Sequence, residues 1–310
     1  MTARVPRERL ESLVKILEHA DVWFDEPLWR HTSFQIGGPA DLFVSVTTLP
    51  DLAAALDFCA CHQVPWVLLG RGTNVLVKDG GVRAVVLTLG GELATYNFHG
   101  HSATAGGGAC LGKLARAAAS AGLGGLEFAS GIPGSVGGAV VMNAGAYNGQ
   151  LADVVSWVTV VSPGQEPRRL DRAELEFDYR WSSLQERRVV VTEVGIELRP
   201  GDPAALLATI DELDARRRSR QPLDLPSGGS TFKRPPGHYA AQLIEEAGLK
   251  GRRRGGAQVS PVHAGFIVNT GGATAQDVLV LMEEVQKAVY TTAGVMLEPE
   301  IRIIGEDPDD

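Results

Sequence analysis

Cysteine, long apolar runs and net positive charge are all scarce in this chain. Its 310 residues hold three cysteines, Cys59, Cys61 and Cys110. So few, and an odd number, cannot form a disulfide framework, and their spacing is not that of a metal site. Reduced thiols are expected. The longest apolar runs, such as PWVLLG at 65–70, are far too short to cross a bilayer. The opening MTARVPRERL has none of the apolar stretch of a secretion signal. A cytoplasmic protein with no membrane insertion is expected. A net charge of −8 argues against general nucleic-acid binding. The seven histidines form no metal-ligand pattern, so no metal is expected.

Common nucleotide and nucleophile fingerprints are missing as well. There is no G-x-x-x-x-G-K-[ST] phosphate loop. GRGTNV at 70–75 lacks the third glycine of a dinucleotide fingerprint and runs into a strand-like segment where that motif needs a helix. The serine of PGSVGG, Ser135, lacks the apolar strand that precedes a hydrolase elbow.

Glycine, by contrast, is concentrated. Residues 125–147 read GLEFASGIPGSVGGAVVMNAGAY, with six glycines and no charge after Glu127. A second glycine-bearing segment, LLGRGTNVLVKDGG, occupies 68–81. Glycine lets backbone amides approach a ligand closely, and successive amides form a concave nest for phosphate oxygens. Two such loops fit one large diphosphate cofactor gripped from both sides. Tight turns between strands fit the same spacing equally well.

Element patterning places these loops. An amphipathic helix is expected over 7–19, a strand at 41–46, and a helix from Thr48 to Cys61 with Pro50 in its first turn. Short strands follow in PWVLLG, NVLV and RAVVLT. A hairpin is expected about Gly100, then a helix in KLARAAASAG and longer strands in VVSWVTVVS and RRVVVTEVGIEL. In the last of these Val190, Val194, Ile196 and Leu198 share one face and Glu193 and Glu197 the other. A helix over 203–219 leads to the proline- and glycine-rich joint QPLDLPSGG. Beyond it come a helix in YAAQLIEEAGLKG, a strand at 265–269, a helix opened by a Thr274–Asp277 capping box, and a strand in EIRIIG. EDPDD reads as a frayed acidic tail.

Three further places carry chemistry. FDYRWS sets Arg180 among aromatics, either as a carboxylate-binding fork or as a group stacked structurally between Tyr179 and Trp181. PSGGSTFKRP sets Ser230 after two glycines, where a loop or cap serine is the simpler reading. LEPEIRIIG sets Glu300 near a strand end, where carboxylates are usually exposed. The basic clusters RRRSR at 216–220 and KGRRR at 250–254 are solvated faces or anion-steering surfaces.

Taken in order, LGRGTNVLV, GLEFASGIPGSVGGAVVMNAGAY, FDYRWS, GSTFKRP, AAQLIEEAGLKG, GGAQVS and FIVN resemble the UDP-N-acetylenolpyruvoylglucosamine reductase (MurB) family. The resemblance runs from HTSFQIGGPADLFV at 31–44 to EPEIRIIG at 298–305. It implies an α+β fold of three domains. Residues 1–88 and 89–218 would form a vanillyl-alcohol-oxidase-like FAD-binding fold, and 219–310 an α/β substrate-binding domain. It implies NADPH-dependent, FAD-mediated reduction of UDP-N-acetylglucosamine enolpyruvate, with hydride from flavin N5. Arg180 would polarise the substrate carboxylate, Glu300 assist it, and Ser230 supply the proton, with Lys233 or Lys250 as its neighbour. The cofactor would meet Gly70, Arg71, Gly72, Thr73 and Asn74, then Ile132, Pro133, Gly134, Ser135, Gly137 and Gly138, then Asn143, Gly145 and Ala146, and Arg302. Arg220, Arg234, Lys250 and His263 match substrate-binding positions. Only about fifty residues separate Arg180 from Ser230, so the chain looks like the shorter subtype, without the extra tyrosine-bearing segment. A flavin oxidase of the same fold, acting on a sugar or alcohol, is the alternative.

Overall fold

Residues 4–308 are described by the computed structural model. Helix α1 (Arg7–Val14) buries Leu10 and Leu13. It is shorter than the helix expected over 7–19. Past Val14 the amides of Ile16 and Leu17 turn back onto Leu13 and Val14, and those of Glu18 and His19 donate to the Asp51 carboxylate. Strand β1 (Ala20–Pro27), which the sequence reading passed over, pairs antiparallel with β2 (Pro39–Val46). Helix α2 (Leu49–Cys61) is capped by Thr48, whose hydroxyl accepts from the Asp51 amide, with Pro50 in its first turn. Strands β3 (Trp66–Leu68), β4 (Val75–Val77) and β5 (Val82–Leu89) follow, and the sheet runs β1-β2-β5-β3 with β2 and β3 parallel to β5. The first glycine loop is the connection between β3 and β4.

Next come the hairpin β6 (Tyr96–His99) and β7 (Ser102–Gly106), turning through Gly100 at φ +59°, and helix α3 (Leu111–Ser120). The second glycine loop lies among small elements. These are β8 (Leu123–Gly124), α4 (Val136–Val141), β9 (Gly145–Ala146) and β10 (Gly149–Gln150). Strands β11 (Val155–Val161), β12 (Arg168–Asp171) and β13 (Val190–Glu197) complete an antiparallel sheet ordered β12-β11-β13-β7-β6. The alternation read in β13 holds from Glu193 onward, where Val194, Ile196 and Leu198 share one core and Glu193 and Glu197 face solvent; a register shift beside Val191–Glu193 breaks it, so Val190 packs in a different core. Strand β14 (Arg199–Pro200) pairs with β8, and helix α5 (Pro203–Arg220), capped by Asp202, packs on α3.

Helix α6 (Ala240–Glu246) stops before Gly248, which takes φ +73°. Strands β15 (Arg253–Arg254), β16 (Ala257–Val259) and β17 (Ile267–Asn269) form an antiparallel sheet against α7 (Ala275–Ala293). The Thr274 hydroxyl and Asp277 carboxylate exchange the two bonds of the expected capping box. Phe34, Ile36 and Leu76, from the N-terminal segment, fill the same core as Val278, Leu281 and Val285 of α7.

The last strand, β18 (Arg302–Ile304), leaves that sheet and pairs parallel with β4. Asp79 reaches back, its two oxygens accepting from the first amides of α7. The tail expected to fray is held through Asp307: Gly80 and Gly81 exchange backbone bonds with Glu306, and Lys78 pairs with Asp307 at 2.6 Å. Residues 309–310 of the EDPDD segment lie outside the described ones. The three cysteines are free thiols.

Candidate active site

Arg180 sits at the tip of a closed turn. Asp178 and Trp181 exchange backbone hydrogen bonds at 3.0 and 3.1 Å, which forces Arg180 to φ +54°. Left-handed backbone at a side-chain-bearing residue costs about 1–3 kcal/mol and clusters at functional sites. The turn aims the guanidinium inward. Its Nε donates to Glu300 Oε1 at 2.7 Å and its Nη2 to the Gly145 carbonyl at 3.1 Å. Of its five N–H donors, those at the end-on edge, Nη1 and the second Nη2 hydrogen, meet no acceptor among the described residues. Tyr179 lies under the guanidinium at 5.2 Å, while no Trp181 contact to it is seen among the described residues. The carboxylate pair, and not aromatic stacking, therefore fixes the group.

Glu300 is far from the exposed strand-end carboxylate of the local reading: its side chain is only 13% exposed. Burial raises its pKa above the ordinary value, although Arg180 and Lys233 pull it down. Its carbonyl accepts from the Asn74 side chain at 3.2 Å, and its amide donates to the Thr231 carbonyl at 2.9 Å. That last bond sets Ser230 beside Glu300. Ser230 is exposed, follows Gly229 at φ +81°, and has no hydrogen-bond partner among the described residues. Lys233 pairs with Glu298 at 3.3 Å and Lys250 with Glu245 at 2.7 Å. Only Lys233 has its charge felt at Glu300.

The two glycine loops meet at this edge. Thr73 donates to the Pro133 carbonyl at 3.0 Å, and a Cβ on Gly70 would fall 2.7 Å from Ser135 Oγ. The backbone amides of Gly70, Arg71, Gly72 and Thr73, and of Gly134 and Ser135, donate to no acceptor among the described residues. The Ser135 hydroxyl caps α4 by accepting from the Gly138 amide.

Other expected ligand positions turn inward. Asn143 is 1% exposed, with its amide nitrogen on Gln150 and the Asp178 carbonyl and its oxygen accepting from the Ala152 amide. Gly137 is buried and donates to the Gly107 carbonyl at 2.8 Å. Both shape the loop from within. Gly145 offers its carbonyl to Arg180, Ala146 stays half-buried beside it, and the half-buried Ile132 and exposed Pro133 border the open amides. Arg302 donates its backbone amide to the Asn74 carbonyl at 2.9 Å and its Nη2 to Gln185 at 2.7 Å.

The basic candidates divide. The Arg234 amide donates to the Tyr179 hydroxyl at 3.3 Å, and its guanidinium lies 4.0 Å from the centre of the Tyr239 ring. Tyr239 in turn lines a cleft of about 410 Å³ with Gln242, Glu245, Val262 and His263. His263 Nδ1 accepts from the Gly265 amide, which leaves Nε2 as the protonated donor of the neutral ring. Burial lowers the His263 pKa, and the Lys250 charge adds to this. Arg220 is exposed at the end of α5, with no partner among the described residues.

Residues 221–304 match the family described as UDP-N-acetylenolpyruvoylglucosamine reductase, C-terminal domain, and residues 40–171 match the FAD binding domain family. The UDP-N-acetylenolpyruvoylglucosamine reductase of Heliobacterium modesticaldum is 50% identical over 91% of this chain and 90% of that protein. The protein of the same name from Alkaliphilus oremlandii is 43% identical over 96% and 98%. The chain belongs to the UDP-N-acetylenolpyruvoylglucosamine reductase family. The crystal structure of a reductase of this family (MurB) from Thermus caldophilus is 37% identical, covers 93% of this chain and 99% of that one, and superposes with a TM-score of 0.80.

Membership brings FAD as cofactor, and this chain's residues fit it. Six unpartnered amides on two touching loops form an anion nest suited to a diphosphate. The crowding at Gly70 shows that a side chain there would close the nest. Sequence reasoning missed two groups at its rim. Arg217 of α5 lies against Gly131, where an added Cβ would come within 3.2 Å of its Nη1, and it has no hydrogen-bond or ion-pair partner among the described residues. Burial lowers its pKa. A half-buried guanidinium without an acceptor is costly unless a ligand supplies one. Gln185 is the other. Only the density of arginine in 216–220 hinted at the first, and nothing local marked the second.

Proposed function

We propose that the chain reduces the enolpyruvyl ether of UDP-N-acetylglucosamine enolpyruvate to the lactyl ether of UDP-N-acetylmuramate at the expense of NADPH, with Arg180, Glu300 and Ser230 as its catalytic residues. The Arg180–Glu300 bond of 2.7 Å, with Glu300 tied to the carbonyl next to Ser230, is the observation that carries this reading. When bound, FAD would supply the hydride chemistry that links oxidation of NADPH to reduction of the substrate double bond.

An enol ether is electron-rich and resists hydride. Its carboxylate has to draw electrons away before the bond accepts a pair. The open edge of Arg180 binds that carboxylate, where negative charge grows during reduction, and each fixed donor of this kind is worth about 3–4 kcal/mol. Glu300 holds the guanidinium in place through Nε. Ser230 supplies the proton to the carbon that gains charge. A hydroxyl is a weak acid, so it needs a nearby positive charge, and Lys233 is the better-placed lysine. Gly70 to Asn74, Ile132 to Ser135, Gly138, Gly145, Ala146 and Arg302 face the cofactor. Arg234, Lys250 and His263 bind the nucleotide sugar along the Tyr239 cleft, and Arg220 lies at its approach.

Residues 1–88 and 89–218 hold the cofactor in this reading, and 219–310 the sugar nucleotide. The net charge of −8 supports a partner set without nucleic acid, and no helix among the described residues is long and apolar enough to cross a membrane. We place the reaction in the cytoplasm, where NADPH is available. The test is the absorbance spectrum of fresh protein before and after anaerobic NADPH. A flavin band that bleaches with NADPH and returns with the enolpyruvyl substrate supports the reading. A flavin that ignores NADPH but is reduced by a sugar alcohol replaces it with an oxidase.

A further inference from the structure

Gln185 commits its whole carboxamide to this site. It lies in a single 3-10 turn, Ser183–Glu186, after Ser182. Nε2 donates to the Val141 carbonyl at 2.9 Å and to the Arg180 carbonyl at 3.0 Å. Oε1 accepts from Arg302 Nη2 at 2.7 Å. Two carbonyls and a guanidinium admit only this orientation of the amide, because carbonyls need donors and the guanidinium needs an acceptor. One side chain thus joins three things: the end of α4 behind the second glycine loop, the backbone of the left-handed Arg180, and the head of Arg302 beside the first loop.

The choice of an amide matters. Arg180 is held by a carboxylate, so its charge is compensated. Arg302 is held by a neutral oxygen and makes no ion pair among the described residues, so its charge is not. Arg302 is exposed as a residue, yet the protein around its guanidinium desolvates it enough to lower its pKa. A glutamate at position 185 would reach the same guanidinium, but it would cancel that charge and withdraw both donors.

We propose that Gln185 is a positioning residue that pins the strained Arg180 turn and orients Arg302 without neutralising it, so that a positive guanidinium stays beside the cofactor loops. The inference rests on the reading that FAD occupies those loops. Positive charge beside the bound cofactor favours its reduced, more negative form. The brace on the Arg180 carbonyl keeps its open edge aimed at the substrate carboxylate.

The test uses the FAD-loaded full chain and two variants, Gln185→Glu and Gln185→Met. The reduction potential of bound FAD, the FAD dissociation constant, the melting temperature and both half-reactions are measured. Gln185→Glu should make two-electron reduction at least tenfold less favourable, a shift of about 30 mV to more negative potential. Gln185→Met should change that equilibrium less than threefold, yet slow reoxidation by the enolpyruvyl substrate at least tenfold. A merely structural residue would lower the melting temperature in both variants and leave the potential alone. In an Arg302→Met background the Gln185→Glu shift should vanish, and this arm decides the matter if Gln185→Met fails to bind FAD. A wild-type potential in Gln185→Glu, or a shift of equal size in the Arg302→Met background, overturns the proposal. Protein that binds no flavin, or flavin that NADPH does not bleach, would overturn the reading beneath it instead.

Discussion

Arg180 Nε donates to Glu300 Oε1 at 2.7 Å across 120 residues of sequence, and both side chains are largely shielded from water. The pair leaves one edge of the guanidinium open and fixes its direction. Lysine at 180 keeps the charge but has no planar fork, so it cannot hold Glu300 and a substrate carboxylate at once. In Arg180→Lys, stopped-flow reoxidation of reduced enzyme by the enolpyruvyl substrate should fall about 10²- to 10³-fold, with reduction by NADPH unchanged. Normal turnover in that variant would remove Arg180 from the mechanism.

Glu300 gives a pH signature. Burial sets its native pKa above the ordinary 4.5, so the folded protein keeps a proton that the unfolded chain has released. Stability from this group is therefore full below the unfolded value and is lost as pH rises through the raised native one. In Glu300→Gln that slope should disappear. Thermal melts from about pH 4 to 8 should show the variant gaining on the wild type as pH rises. The opposite trend would mean a lowered native pKa.

In the proposed reaction Ser230 acts only after hydride has moved. Ser230→Ala should let NADPH bleach the flavin at the normal rate and nearly stop reoxidation by substrate. Solvent deuterium should slow the wild-type second half-reaction and leave the first untouched. Equal damage to both half-reactions would argue against a proton donor.

Gly72 tests the nest itself. It takes φ +61°, and a Cβ there would lie 2.8 Å from the Thr32 Cα and inside contact with the His31 carbonyl oxygen. Gly72→Ala should lose about 2–4 kcal/mol of stability through combined overpacking and left-handed strain. Denaturant unfolding of the apo and FAD-loaded forms measures this, and FAD affinity should fall with it. A loss below about 0.5 kcal/mol would mean that the loop yields freely.

Much of the scaffold was readable because its causes are local. The Thr48 and Thr274 caps are set by side chains three residues from the amides they hold. The faces of the second half of β13 follow from alternation, which a register shift near Val191 breaks before it, and the glycine loops announce themselves by composition. Strand β1 was missed because Ala20–Pro27 is half exposed, with charge on its outer face and a weak apolar stripe. Helix α1 was drawn too long because the Asp51 carboxylate, more than thirty residues away, takes the amides that would have continued it. Nothing in its motif announced the three internal bonds that burial gives Asn143.

By itself, the sequence determined the chemistry on offer: two glycine-rich loops, an arginine, a serine and a glutamate of fitting types, and the ordered motifs of one reductase family. Tertiary structure alone decided that β18 returns to β4 and brings Glu300 against Arg180, that Gln185 spans two arginines, and that Arg217 lies over Gly131 with no hydrogen-bond or ion-pair partner among the described residues. The reason is one of range. Caps, turns and alternation are settled within a few residues, whereas burial and the pairing of distant charges depend on which surfaces the folded core presses together.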